Sequence, residues 1–102
     1  MTQIIPWRDL ADFTQDIRLS GEIFSIRGRW NSERGFWTMD IHDKNDAPLL
    51  IGQKIVLNTD ILMRYRDPRL PPGSIFAVEA APGITKIGRN DIGTNVFLVY
   101  EA

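Results

Sequence analysis

Between Glu22 and Ile41 apolar and polar residues alternate, break for five residues, and alternate again. Phe24, Ile26, Gly28 and Trp30 fall on one side of the first run, with Ser25, Arg27 and Arg29 on the other. After Asn31-Ser32-Glu33-Arg34-Gly35, the residues Trp37, Met39 and Ile41 alternate with Thr38, Asp40 and His42. A period of two is the geometry of an extended strand, and a helix would scatter these positions around its axis. The polar interruption reads as a turn, so the segment is an antiparallel hairpin. Trp30 and Trp37 then face each other on one side of the sheet. Such an aromatic pair adds roughly 0.2–1 kcal/mol beyond simple burial.

Similar patterns recur along the chain. Phe13, Ile17 and Leu19 share a face opposite Thr14, Asp16 and Arg18, with Gln15 as the exception. Ser20-Gly21 is a tight-turn signal. Ile4-Ile5 before Pro6 reads as a short edge strand, because proline tolerates an edge and not a sheet centre. Trp7 to Asp12 has no clean period and fits either a loop or one helical turn. Leu49-Leu50-Ile51 and Ile55-Val56-Leu57 read as two short strands broken by Gly52. Ile61-Leu62-Met63 reads as a helical turn capped by Thr59 or Asp60. Pro68, Pro71, Pro72 and Gly73 forbid regular structure and mark a surface loop. Ser74 to Ala80 forms another strand, with Ile75, Phe76 and Val78. Pro82 to Thr94 is a glycine-rich connection. Asn95 to Glu101 is apolar on both faces through Val96, Phe97, Leu98, Val99 and Tyr100, the pattern of a central or sandwiched strand. The fold class expected is all-β: a small antiparallel barrel or sandwich with at most one short helical turn.

At 102 residues the chain reads as a single domain, residues 1–102, able to bury one core without metal or disulfide. It has no cysteine, which excludes thiol chemistry. The start lacks the basic-then-apolar order of a secretory signal, and no apolar run approaches the ~20 residues of a membrane span. A soluble domain is expected. The formal charge of −1 lacks the basic excess of a protein that binds nucleic acid through phosphates.

The sequence is poor in catalytic patterns. His42 is the single histidine. It points the same way as Asp40, but no cysteine or second histidine can complete a metal site. Asp43, Asn45 and Asp46 begin like a calcium loop, yet Ala47-Pro48 breaks the pattern and Lys54 stands where the bidentate glutamate belongs. A hairpin turn built from Asp and Asn explains them better. Ser20, Ser25, Ser32 and Ser74 sit in no nucleophile elbow, and Gly83 to Gly93 holds no phosphate loop. Nothing favours a pair of catalytic carboxylates. No catalytic, cofactor-binding or metal residue is therefore assigned, and the chain is read as a non-enzyme. The most suggestive cluster is Arg64-Tyr65-Arg66-Asp67-Pro68-Arg69, suited to an acidic protein surface or to single-stranded nucleic acid. Net charge ranks protein first, leaving a small β-barrel that binds single strands as the alternative.

The ordered set of motifs resembles the baseplate plug proteins of contractile-tailed bacteriophages over nearly the full chain. The resemblance runs through Ser20-Gly21-Glu22, Arg29-Trp30-Asn31, Gly35-Phe36-Trp37-Thr38-Met39-Asp40-Ile41-His42-Asp43 and Pro48-Leu49-Leu50-Ile51-Gly52. It continues through Asp60-Ile61-Leu62 with Arg64-Tyr65, Leu70-Pro71-Pro72-Gly73, and Asp91-Ile92-Gly93-Thr94 with Tyr100. Ser20-Gly21 departs from the Asp-Gly or Gly-Gly turn expected there. The resemblance implies a non-enzymatic β subunit near the hub and inner tube of a tail baseplate, sealing or bracing the channel. It implies no cofactor and no membrane. Its implied partners are hub and tail-tube proteins, with copies of the chain forming an oligomer or ring. The protein would be made in the bacterial cytoplasm and end in the virion. Loops on a stiff scaffold usually carry binding, and edge strands can extend a neighbour's sheet. The interface residues expected on these grounds are Ile4, Ile5, Asp60, Arg64, Tyr65, Arg66, Arg69, Lys86 and Arg89.

Overall fold

Seven strands carry the fold in the computed structural model, which describes residues 2–62 and 67–102. They are β1 (Thr2–Ile5), β2 (Asp12–Leu19), β3 (Glu22–Asn31), β4 (Phe36–His42), β5 (Pro48–Lys54), β6 (Ser74–Glu79) and β7 (Val96–Glu101). A four-stranded sheet has the order β2-β3-β4-β5 and a three-stranded sheet the order β1-β7-β6, with every strand pairing antiparallel. Among the described residues there is no helix. The all-β expectation holds, in the sandwich form and not as a closed barrel.

The turns explain the register. Ser20 and Gly21 both take positive φ (51° and 83°), so Leu19 pairs directly with Glu22 across a two-residue turn. That mirror-image turn matches the twist of the strands it joins. In the next turn Asn31 Oδ1 accepts the amides of Glu33 and Arg34, each at 3.1 Å, and Gly35 N donates to the Asn31 carbonyl at 2.7 Å. These bonds hold Trp30 opposite Trp37, with ring centroids 5.6 Å apart. Trp7 and Phe13 pack edge-on against the same Trp37 ring. Met39, Ile41, Phe24 and Ile26 extend this core toward Ile75, Leu98 and Tyr100 of the second sheet.

The borders of the two sheets meet in different ways. Beyond β5, Ile55 N donates to the Trp37 carbonyl at 2.9 Å, while Asn58 N and Ile61 N, both at 2.8 Å, donate to the Ala77 and Ile75 carbonyls of β6. The chain thus crosses from one sheet to the other and covers the outer edge of β6. At the β1–β2 border, side chains make the links. Gln3 Nε2 donates to the Arg18 carbonyl at 2.9 Å, and Gln15 Nε2 donates to the Pro6 carbonyl. Gln15, the polar exception on an apolar face, therefore has a structural task. Tyr100 adds a tie. Its hydroxyl donates to the Pro72 carbonyl and so must accept from Ser20 Oγ, 2.7 Å away.

Three expectations need correction. The chain from Pro48 to Lys54 is one strand passing through Gly52, whereas Ile55-Val56-Leu57 forms none and contributes only a bridge from Leu57 to Ala77. Gly52 does not break the strand, because its φ of +69° absorbs an irregularity where the β4–β5 register shifts between Met39 and His42. The same irregularity moves Asp40 out of water, leaving it 3% exposed. Its carboxylate accepts Gly52 N at 2.7 Å and lies 3.4 Å from the Arg29 guanidinium. Lastly, Ile61 and Leu62 form a plain turn, and Met63 lies outside the described residues. Trp7 to Ala11 is an irregular bend.

Candidate interaction surface

Alternation in the three-stranded sheet divides its side chains cleanly. Ile5, Ile75, Ala77, Val96, Leu98 and Tyr100 are buried and face the core. Their neighbours in sequence point the other way. Across that outer face Ile4, Val99 and Phe76 form one register row, with Phe97 and Val78 as the adjoining pair. Ile4 is 58% exposed, and Phe76, Val78, Phe97 and Val99 are half-buried. The result is a contiguous apolar surface on the outside of a rigid sheet. Polar residues close one end, where Thr2, Glu101 and Ser74 share a row and Thr2 Oγ1 donates to Glu101 Oε2 at 2.6 Å. Glu79 ends β6 in register with Val96, and so on the other side of the sheet from Phe76 and Val78.

Contiguous apolar patches are uncommon on soluble monomers and mark sites of association. The signal in sequence was the two-sided apolarity of Val96 to Tyr100. It correctly indicates a central strand. A second covering layer does not follow from it, because β7 lies between β1 and β6 with only one face on the core.

The residues expected at an interface are dispersed. Ile4 lies on the apolar face, while the Ile5 side chain, 2% exposed, belongs to the core. The Asp60 carboxylate is occupied, accepting Leu62 N at 3.0 Å and Ile75 N at 3.1 Å, and so fixes the crossing segment to β6. Arg69 pairs with Asp67 at 2.6 Å, and its guanidinium and backbone amide pull the Asp67 carboxyl down to about 2. Arg69 also lines a cavity of about 550 Å³ beside the Ser20-Gly21 turn, with Arg18, Glu22, Ile23 and Lys44. Lys86 borders a cavity of about 300 Å³ near Gly35, at the opposite end of β3. Arg89 sits 5.3 Å from the Trp37 ring centroid and 3.2 Å from Asp9 Oδ1. Arg64, Tyr65 and Arg66 lie outside the described residues. The expected cations Arg69, Lys86 and Arg89 therefore do not converge on one surface.

Elsewhere the acidic groups serve structure. Asp43 Oδ1 accepts the amides of Asn45 and Ala47, both at 2.9 Å, the bonding of a turn. Asp91 holds the last connection through Asn95 Nδ2 and Gly88 N, and these donors lower its pKa. Among the described residues no three His, Cys, Asp or Glu side chains cluster in a way that could hold a metal ion.

No curated protein matches the chain significantly. The family model described as cyanophage baseplate Pam3 plug gp18 matches residues 2–102, the whole of the described fold. An all-β sandwich with an exposed apolar sheet face, matched from end to end by that model, belongs to the baseplate plug family.

Proposed function

We propose that this chain is a structural part of a phage tail baseplate, seated at the central hub and tube, where it plugs or braces the channel through protein–protein contacts and without catalysis. The observation that carries this reading is the apolar face formed by Ile4, Phe76, Val78, Phe97 and Val99 on the outside of a three-stranded sheet. A sandwich with a packed core keeps that face in a fixed shape, as a part fitted between others requires. β1 is the outermost strand of its sheet, and its exposed part at Thr2 to Ile4 offers a second mode of joining by strand addition. Lys86 is exposed at the periphery for charge pairing, whereas Arg69 and Arg89 are engaged by Asp67 and Asp9. The partners are hub and tail-tube proteins, and copies of the chain stand in the baseplate as an oligomer or ring. Synthesis is in the bacterial cytoplasm and the final location is the virion.

Co-expression with the tail proteins encoded beside it, followed by size-exclusion chromatography with light scattering, tests the reading. A stable complex with at least one hub or tube protein is expected. A chain that stays monomeric beside all of them overturns it.

A further inference from the structure

We propose that the cleft between the turn at residues 31–35 and the segment 85–87 seats an acidic segment of another baseplate protein, one in which an Asp or Glu stands beside an apolar side chain. The proposal rests on the assembly reading above and adds a contact point away from the apolar sheet face.

Three pieces of chain build the cleft. Gly35 and Phe36 at the start of β4, residues 54–57 leaving β5, and residues 85–87 of the last connection enclose about 300 Å³. Ile55 and Ile87 are buried and root two of these pieces in the core. Ile55 N also donates to the Trp37 carbonyl. The walls are therefore set before a partner arrives, which lowers the cost of binding.

The lining carries two cations and no acid. Lys54 Nζ stands 4.8 Å from the Phe36 ring centroid. Lys86 Nζ reaches the turn, 3.5 Å from where a Cβ on Gly35 would lie. Arg27, Arg29, Arg69 and Arg89 each find a carboxylate, whereas among the described residues neither lysine has one within ion-pair reach. Glu33 and Arg34 in the adjoining turn offset each other. Two unpaired ammonium groups beside Phe36, Val56 and Leu57 attract a carboxylate, and the apolar walls strengthen that attraction by lowering the local dielectric. The same walls accept the apolar neighbour of that carboxylate.

A second copy fits less well. Its carboxylates without a partner in the described fold bring cations with them: Asp16 and Glu22 stand beside Arg18, Glu33 beside Arg34 and Asp46 beside Lys44. Glu79 is the exception, and a contact through it counts against the proposal. Phosphates of a nucleic acid would meet the same lysines, but the formal charge of −1 gives them no wider basic surface to follow.

The test places photo-reactive benzoylphenylalanine at Val56 or at Thr85 in the chain assembled with its co-encoded baseplate proteins. Cross-linked peptides are then identified by mass spectrometry. The expected product is a peptide of another protein with an Asp or Glu next to an apolar residue. In parallel, the double variant Lys54→Glu, Lys86→Glu should bind that protein roughly tenfold more weakly, and replacing the identified acid by Lys should restore binding. Both lysines are exposed, so the variant should melt with the parent; if it does not, the cross-link alone decides. A cross-link to a second copy or to nucleic acid, a partner segment without an acid, or affinity unchanged by charge reversal or not restored by the exchange overturns the inference. Assembly without a cross-link from either position overturns it while the assembly reading stands. Absence of assembly removes both.

Discussion

The Trp7 indole lies directly on Gly28, so that a Cβ added to the glycine would stand 2.5 Å from Trp7 Cζ2 and 2.9 Å from Phe13 Cε1. The glycine of β3 is thus the floor of an aromatic cluster made of Trp7, Phe13, Trp30 and Trp37. Its missing side chain is what lets the bend after β1 pack against the four-stranded sheet.

Gly28→Ala is therefore expected to destabilise the fold by ~1–3 kcal/mol, the usual effect of overfilling a packed core. Trp7 is displaced toward solvent, so the intrinsic fluorescence should shift to the red. Urea unfolding and an emission spectrum check both, and an unchanged midpoint refutes the packing argument.

Trp37 is 1% exposed and touches every other aromatic of the cluster. Trp37→Ala should lose ~3–5 kcal/mol, the range for large buried aromatics. A variant that melts with the parent would contradict the hairpin register itself.

Asp40 gives a sharper comparison, because its carboxylate satisfies the Gly52 amide at the β4–β5 irregularity. Asp40→Ala removes that acceptor and should cost ~1–3 kcal/mol, whereas Asp40→Asn keeps an oxygen for the amide and should cost less. Equal losses in the two variants would show that charge pairing with Arg29, and not the amide bond, is what matters.

Acid should weaken the fold. Arg69 holds Asp67 down to about 2, and Asn95 with Gly88 N lowers Asp91. A carboxyl whose pKa falls on folding binds its proton more weakly in the native state, so protonation favours the unfolded chain. The stabilisation is complete above the unfolded value of about 3.9 and is lost as pH falls toward about 2. Urea midpoints measured across that interval should fall, and Asp91→Asn should flatten the decline. A midpoint that rises on acidification would reverse the assignment.

Local rules made much of this fold readable. Trp30, Trp37, Met39 and Ile41 alternate strictly beside a turn-forming Asn, and alternation of that quality leaves one register. The Asp43 turn was equally plain. What escaped depends on contacts between distant strands. Gly52 resembles a strand breaker until the register shift opposite it is known, and Asp40 resembles a surface acid for the same reason. The interaction surface was half visible. Val96 to Tyr100 announced two apolar faces, but only the strand order shows that β7 turns one of them outward.

The two glutamines at the β1–β2 border set where the sandwich gives way first. On the far side, peptide groups lock the crossing segment to both layers. Here a pair of flexible amides does the joining, and each trades readily with water. Opening the layers at this lip breaks those two side-chain bonds and leaves the first strand paired with β7.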